Sequence, residues 1–178
     1  MSGQDRIGDL PAPFVIAPEF IRKGGKIDIF EEENVMALAP QDVEQFFDQH
    51  ELPYTRAEDD TLWYAEIAVG GEQFEFFVNL DEEEGWIYFT INPFVPSPDP
   101  ECLDNLCRHL VRLNYDVTMA KFVIDDEDDV ALMVELPAED LAYSHFAAAI
   151  AALSKAAGEN YDELSNLSQD ATAVSSYK

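Results

Sequence analysis

The sequence predicts an α+β fold: one antiparallel sheet of about five strands with helices packed on it, in the order α-β-β-β-α-β-β-α. Three observations predict it. Two alternating segments, Thr61 to Val69 and Glu72 to Leu80, flank Gly70-Gly71, a pair suited to a two-residue hairpin loop. That loop sets a register with Ile67 opposite Phe74, Ala65 opposite Phe76 and Trp63 opposite Val78, so both apolar sets share one face. Proline-led stretches with apolar residues at i, i+3 and i+4 bracket the strands.

The elements follow in chain order. Residues 1–39 read as an N-terminal arm. Pro11, Pro13 and Pro18 break any long element, yet Phe14, Val15, Ile16, Phe20 and Ile21 are too apolar for an inert tail. Arg22, Lys23 and Lys26 form the only basic cluster. An arm packed on the domain's own surface is the preferred reading.

A domain over residues 40–165 then begins with a helix from Pro40 to His50. Proline suits its first turn, Asp42 and Glu44 suit its positive end, and Val43, Phe46 and Phe47 make its stripe. A third strand, Trp86 to Asn92, continues the hairpin: Leu80 meets Ile87, Val78 meets Phe89 and Phe76 meets Ile91. Asp99 and Pro100 predict the start of a second helix through Tyr115, with Leu103, Leu106, Cys107, Leu110 and Val111 as its stripe. Two further strands, Ala120 to Ile124 and Val130 to Leu136, join through the acidic turn 125–129. Pro137 opens a last helix through about Ala157, with Leu141, Phe146, Ile150 and Leu153 inward and Gly158 as its end. Residues 166–178 read as a disordered tail.

The second sheet face carries Leu62, Tyr64, Phe77, Trp86 and Tyr88, with Tyr64 opposite Phe77. A solvated face is more polar than this, so something covers it part of the time.

Composition limits the partners. Of 178 residues, 47% are hydrophobic, enough for a core, and the formal charge is −27. Such a chain repels phosphate backbones and anionic lipid, so neither nucleic acid nor a membrane is an expected partner. The first ten residues show no basic-then-apolar pattern and no apolar run has bilayer length, so a cytoplasmic protein is the expectation. The acids are spread along the chain, which favours a solvated surface over a dedicated anionic patch.

Chemistry is hard to find. Cys102 and Cys107 point to different helix faces and lack a zinc-ligand set. His50, His109 and His145 have no nucleophile setting around them. The acidic turns 81–84 and 125–129 lack the alternation, central glycine and closing glutamate of a calcium loop. Gly24-Gly25 and Gly70-Gly71 open no phosphate loop. No metal, cofactor or catalytic residue is expected.

Residues 110–137 carry a resemblance. Leu113-Asn114-Tyr115 ends a helix, then come Phe122-Val123-Ile124-Asp125, Val130-Ala131-Leu132 and Glu135-Leu136-Pro137, then a helix with Leu141, Phe146 and Leu153. This resembles the YbjN-like family, whose fold is like that of type III secretion chaperones, over about residues 38–165. The acidic turn 125–129 and the N-terminal arm depart from the pattern. The resemblance implies a non-enzymatic module, often homodimeric, that takes extended partner segments on apolar patches and sheet edges. Carried over by position, Leu103, Leu106, Leu110 and Val111 become candidates for a dimer seam. The aromatic second face becomes the candidate for holding a partner.

The leading expectation is therefore a protein-binding module: an acidic adaptor, chaperone-like protein or regulator, with a possible homodimer. Two alternatives remain: an enzyme or ion-binding protein using carboxylate clusters, and an anionic mimic that binds a basic protein.

Overall fold

The computed structural model describes residues 38–58 and 60–177. Of the expected arm, all but Leu38 and Ala39 lies outside the described residues. The elements are α1 (Pro40–Gln49), β1 (Tyr54–Arg56), β2 (Leu62–Val69), β3 (Glu72–Asp81), β4 (Trp86–Ile91), α2 (Leu103–Asp116), β5 (Lys121–Ile124), β6 (Val130–Pro137) and α3 (Tyr143–Gln169). The strands form one antiparallel sheet in the order β1-β2-β3-β4-β6-β5.

The register agrees with the hairpin arithmetic. Gly70 and Gly71 take φ of 65° and 100°, the left-handed conformation a two-residue loop asks of both. Ile67 lies opposite Phe74, Trp63 opposite Val78, Leu80 opposite Ile87, Phe76 opposite Ile91 and Phe122 opposite Leu132. Because side chains alternate, every one of these pairs points the same way.

That face is the core. Trp63, Phe76, Val78, Ile87, Phe89, Ile91 and Leu132 are fully enclosed under Val43 and Phe47 of α1, Leu106 of α2 and Phe146, Ala149 and Leu153 of α3. Phe146 meets Phe47 and Phe89 edge-on at 5.1 and 5.4 Å, an arrangement that suits ring quadrupoles. A second aromatic group joins Phe74, Phe94, Phe122 and Tyr161.

Four details depart from the sequence reading. A sixth strand, β1, pairs with β2 just after Pro53; its three residues are too few for alternation to be read. It is held by Tyr54 stacking on Phe47 at 4.8 Å and by Arg56 bound to Glu44 at 3.0 Å. The second helix begins at Leu103, because residues 99–102 form a separate turn closed by the Cys102 N–H on the Asp99 carbonyl at 2.8 Å. Pro137 ends β6 and the last helix starts at Tyr143.

That helix also runs through Gly158 to Gln169. The glycine marks close packing instead of an end: a Cβ there would sit 3.1 Å from Val69 Cγ1 on β2. Leu164 and Leu167 continue the buried stripe beyond it. Residues 173–177 then lie against α2, with Ala173 and Tyr177 packed on the core.

Candidate protein-binding face and sheet edge

All three helices pack on the core face, which leaves the opposite sheet face without a covering layer among the described residues. Its register builds a row across the sheet: Thr55, Tyr64, Phe77, Thr90, Met133 and Lys121. The next row is Leu62, Asn79, Tyr88 and Glu135. Tyr64 is 41% exposed and meets the half-buried Phe77 edge-on at 5.2 Å. Leu62 and Tyr88 are half-buried, and Trp86 is 39% exposed at the far end, opposite Pro137. The five residues singled out in the sequence thus share one face but not one pocket. Tyr64 and Phe77 line a groove of about 620 Å³, whereas Trp86 lines a separate hollow of about 430 Å³ with Leu38 and Pro137.

The groove lies where this face meets an unpaired edge. The β1–β2 ladder ends at Tyr54 opposite Ala65. Its next partner for Glu66 would be Pro53, which has no N–H to offer. Even-numbered residues of β2 bond toward β1, as the Ala57 N–H on the Leu62 carbonyl shows at 2.9 Å; odd ones bond toward β3, as the Leu80 N–H on the Thr61 carbonyl shows at 2.9 Å. The amides of Glu66 and Ala68 therefore point outward, a ready template for an added strand. Glu66 and Glu75, directly opposite each other, make this rim acidic. Tyr54, also in the groove wall, has its phenol pushed above the ordinary value, by burial first and then by Glu44 and Asp48.

The other edge is capped at one position. Asn114, in the last turn of α2, reaches β5 and bonds both ways: the Phe122 N–H donates to its Oδ1 and its Nδ2 donates to the Phe122 carbonyl, each at 2.8 Å. A side-chain amide thus occupies the place of a neighbouring strand. Among the described residues, the β2 end of the sheet presents a groove and outward amides together.

The helix residues fall differently from their predicted stripe. Leu106 and Leu110 sit in the core, 0% and 4% exposed, and Leu103 is half-buried. Side chains enclosed by their own chain cannot face a second copy. Val111 is 74% exposed, and Tyr115, which the sequence reading did not single out, is 90% exposed. The two cysteines are placed opposite to expectation, with Cys102 buried and Cys107 exposed. His109 takes the inward position, beside Leu106, Leu110 and Leu113.

The polar residues weighed for chemistry serve the fold. Asp125 Oδ1 accepts the N–H groups of Glu127 and Asp129 at 3.0 and 2.9 Å, and Asp81 Oδ1 accepts those of Glu83 and Glu84 at 3.1 and 2.9 Å. Each acidic turn spends its first carboxylate on its own backbone. His50 pairs with the Tyr143 hydroxyl at 3.2 Å, and His145 Nδ1 accepts the Ala142 N–H at 3.1 Å. Among the described residues no three His, Cys, Asp or Glu side chains gather where they could hold a metal ion, and no helix is long and apolar enough to cross a membrane.

The fold has solved counterparts. One is the crystal structure of "YbjN, a putative transcription regulator from E. coli", with a TM-score of 0.53 and 15% identity over 70% of this chain and 92% of that one. Another is the "HopA1-SchA Chaperone-Effector Complex", with a TM-score of 0.50 and 12% identity over 68% of this chain and 91% of that one. At such identities the likeness is one of fold. No curated protein matches the sequence. A family model, YbjN, described as "Putative bacterial sensory transduction regulator", matches residues 39–166, and the chain belongs to that family.

Proposed function

We propose that this chain is a non-enzymatic, chaperone-like adaptor or regulator that holds an extended segment of a protein partner in the cytoplasm. The observation that carries this reading is the groove at the β2 edge: aromatic Tyr64 and Phe77 on its floor, outward amides of Glu66 and Ala68 on its rim. A partner strand would take its backbone bonds from β2 and rest alternate side chains on the rings. The Glu66–Glu75 rim favours basic residues at the remaining positions of that strand. The complex named for a neighbour of this fold, a chaperone with its effector, supports a protein as the partner class.

The test is a tagged pull-down from the source lysate at low and moderate salt, with wild type beside Tyr64→Ala/Trp86→Ala. Both side chains are partly exposed, so the fold tolerates their loss. One protein captured by wild type at both salts and lost from the variant supports the reading. A partner held equally by both proteins overturns this face as its site. A partner lost at moderate salt alone points to the anionic-mimic alternative.

Self-association uses α2 in this proposal, through its outward ridge: Leu103, Cys107, Val111 and Tyr115, at successive four-residue steps. The variant Val111→Asp/Tyr115→Asp then reduces a dimer to a monomer in sedimentation. A dimer that survives both charges places the seam elsewhere.

A further inference from the structure

Residues 173–177 are gripped by a polar stripe on α2. Asn105, His109, Arg112 and Asp116 lie at i, i+4, i+7 and i+11 on α2, along one helical face. Asn105 Nδ2 donates to the Ala173 carbonyl at 3.2 Å and the Arg112 guanidinium to the Tyr177 carbonyl at 3.1 Å. The Tyr177 hydroxyl donates to Asp116 at 2.8 Å. From α3, Glu163 accepts the Ser176 N–H at 2.7 Å and its hydroxyl at 3.0 Å.

His109 lies at the centre of this grip, 1% exposed. Its Nδ1 is 2.9 Å from Ser175 Oγ, and its ring meets Tyr177 edge-on at 4.9 Å. Ser175 Oγ already accepts the Tyr177 N–H at 3.1 Å, which leaves its hydroxyl proton for the lone pair of a neutral imidazole. The titratable and charged groups around the ring are Glu163 on α3 at 3.7 Å, Tyr177 in the terminal segment, and Arg112 and Asp116 further along α2 itself.

The geometry points to a strap: we infer that residues 173–177 stay closed over α2 and α3 while His109 is neutral and come away when the ring gains a proton. Burial lowers the pKa of His109 in the closed state, against the carboxylate of Glu163, which raises it. An open strap exposes the ring and returns it to its ordinary value near 6.5. The open form therefore binds the proton more tightly. Closure is complete above that ordinary value and weakens as the pH falls below it, by up to about tenfold per unit of difference between the two states. Release uncovers His109 and widens a cleft of about 240 Å³ between α2 and α3, of which Tyr177 is one wall and Leu113 another. Val111 and Tyr115, both exposed, precede Arg112 and Asp116 of the grip along α2.

The experiment uses the full chain. Backbone ¹⁵N heteronuclear NOEs of residues 172–177 are measured at about pH 7.5 and about pH 5.5, either side of the ordinary histidine value. The wild type, His109→Gln and Glu163→Gln are compared, with the core amide pattern as a check on folding. The expected result is an ordered segment in wild type at the higher pH that becomes mobile at the lower, with the rest of the domain unchanged. His109→Gln, whose amide accepts from Ser175 without titrating, keeps the segment equally ordered at both. Glu163→Gln removes both the carboxylate beside the ring and the acceptor of the two Ser176 bonds, so its segment is looser at both pH values and its release lies at higher pH. A wild-type segment equally ordered at both pH values overturns the strap. So does a transition that persists in His109→Gln, which would assign the release to carboxylates.

Discussion

Asn114→Ala tests the claim that a single side chain caps the β5 edge of the sheet at Phe122. The substitution removes two 2.8 Å hydrogen bonds and leaves the N–H and carbonyl of Phe122 without their partner. Each such bond is worth about 0.5–1.5 kcal/mol net, and Asn114 is exposed, so water takes up part of the loss; about 1–2 kcal/mol is expected. For a domain of this size each kcal/mol moves the melting temperature by roughly 2–4 °C, giving a fall of about 2–8 °C. Asn114→Asp keeps the acceptor for the Phe122 N–H but sets a carboxylate against the carbonyl, so it recovers less than half of that fall. Opening the edge has a second consequence: light scattering on concentrated Asn114→Ala rises before unfolding, as β5 becomes available for pairing. A melting temperature within about 1 °C of wild type, with no change in scattering, would refute the reasoning.

Other outcomes follow from the same geometry. Raising NaCl from low to about 1 M raises the melting temperature, because the Debye length falls to about 3 Å and acid–acid repulsion is screened. Glu75→Lys turns the repulsive pair with Glu66 into an attractive one, stabilises by about 0.2–1 kcal/mol and flattens that salt response in the same melts. Gly158→Ala gains about 0.8–1.0 kcal/mol of helix propensity but brings a methyl to 3.1 Å from Val69, so its melting temperature stays near wild type, whereas Gly158→Leu lowers it. Burial pushes the Asp125 carboxyl up, but bonds from the Asp129 and Glu127 amides and the Asn92 side chain outweigh this and hold it below the ordinary value. Its stabilising share is thus present above about pH 3.8 and lost as the pH falls through the lower folded value, and Asp125→Asn removes that part of the acid-unfolding curve. At the other extreme, burial and the bond to Asp116 push the Tyr177 phenol up to about 12. The strap's hold through that bond is complete below the ordinary value of 10.0 and lost as the pH rises toward 12, visible as mobility of residues 173–177 in alkaline NMR spectra.

What could be read from the sequence depended on the length over which a physical rule repeats. The hairpin of β2 and β3 repeats alternation over eight and ten residues around a fixed loop, so one register satisfied every apolar pair and brought Tyr64 to Phe77 on the second face. α3 repeats a stripe from Phe146 to Leu167, but the rule that glycine ends helices obscured its second half. In place, Gly158 lets the helix approach Val69, a tertiary reason that no local pattern carries. α2 misled in another way. Val111 and Cys107 are as apolar as Leu110 and Leu106, so composition widened the stripe, and the inward His109 is explained only by Ser175, Glu163 and Tyr177, which lie far along the chain.

The edges of the candidate site were hidden for the same reason. β1 has three residues, and Asn114 is one polar side chain at a helix end, alike in sequence to any other. Together they make the two edges of the sheet unlike each other. The Pro53 that stops the β1–β2 ladder leaves the Glu66 and Ala68 amides facing outward, while Asn114 closes the Phe122 amide at the opposite edge. An apolar face alone would admit a partner in any orientation. Under the proposed function, the outward amides beside the groove would set a partner backbone against β2 and leave Tyr64 and Phe77 to contact its side chains.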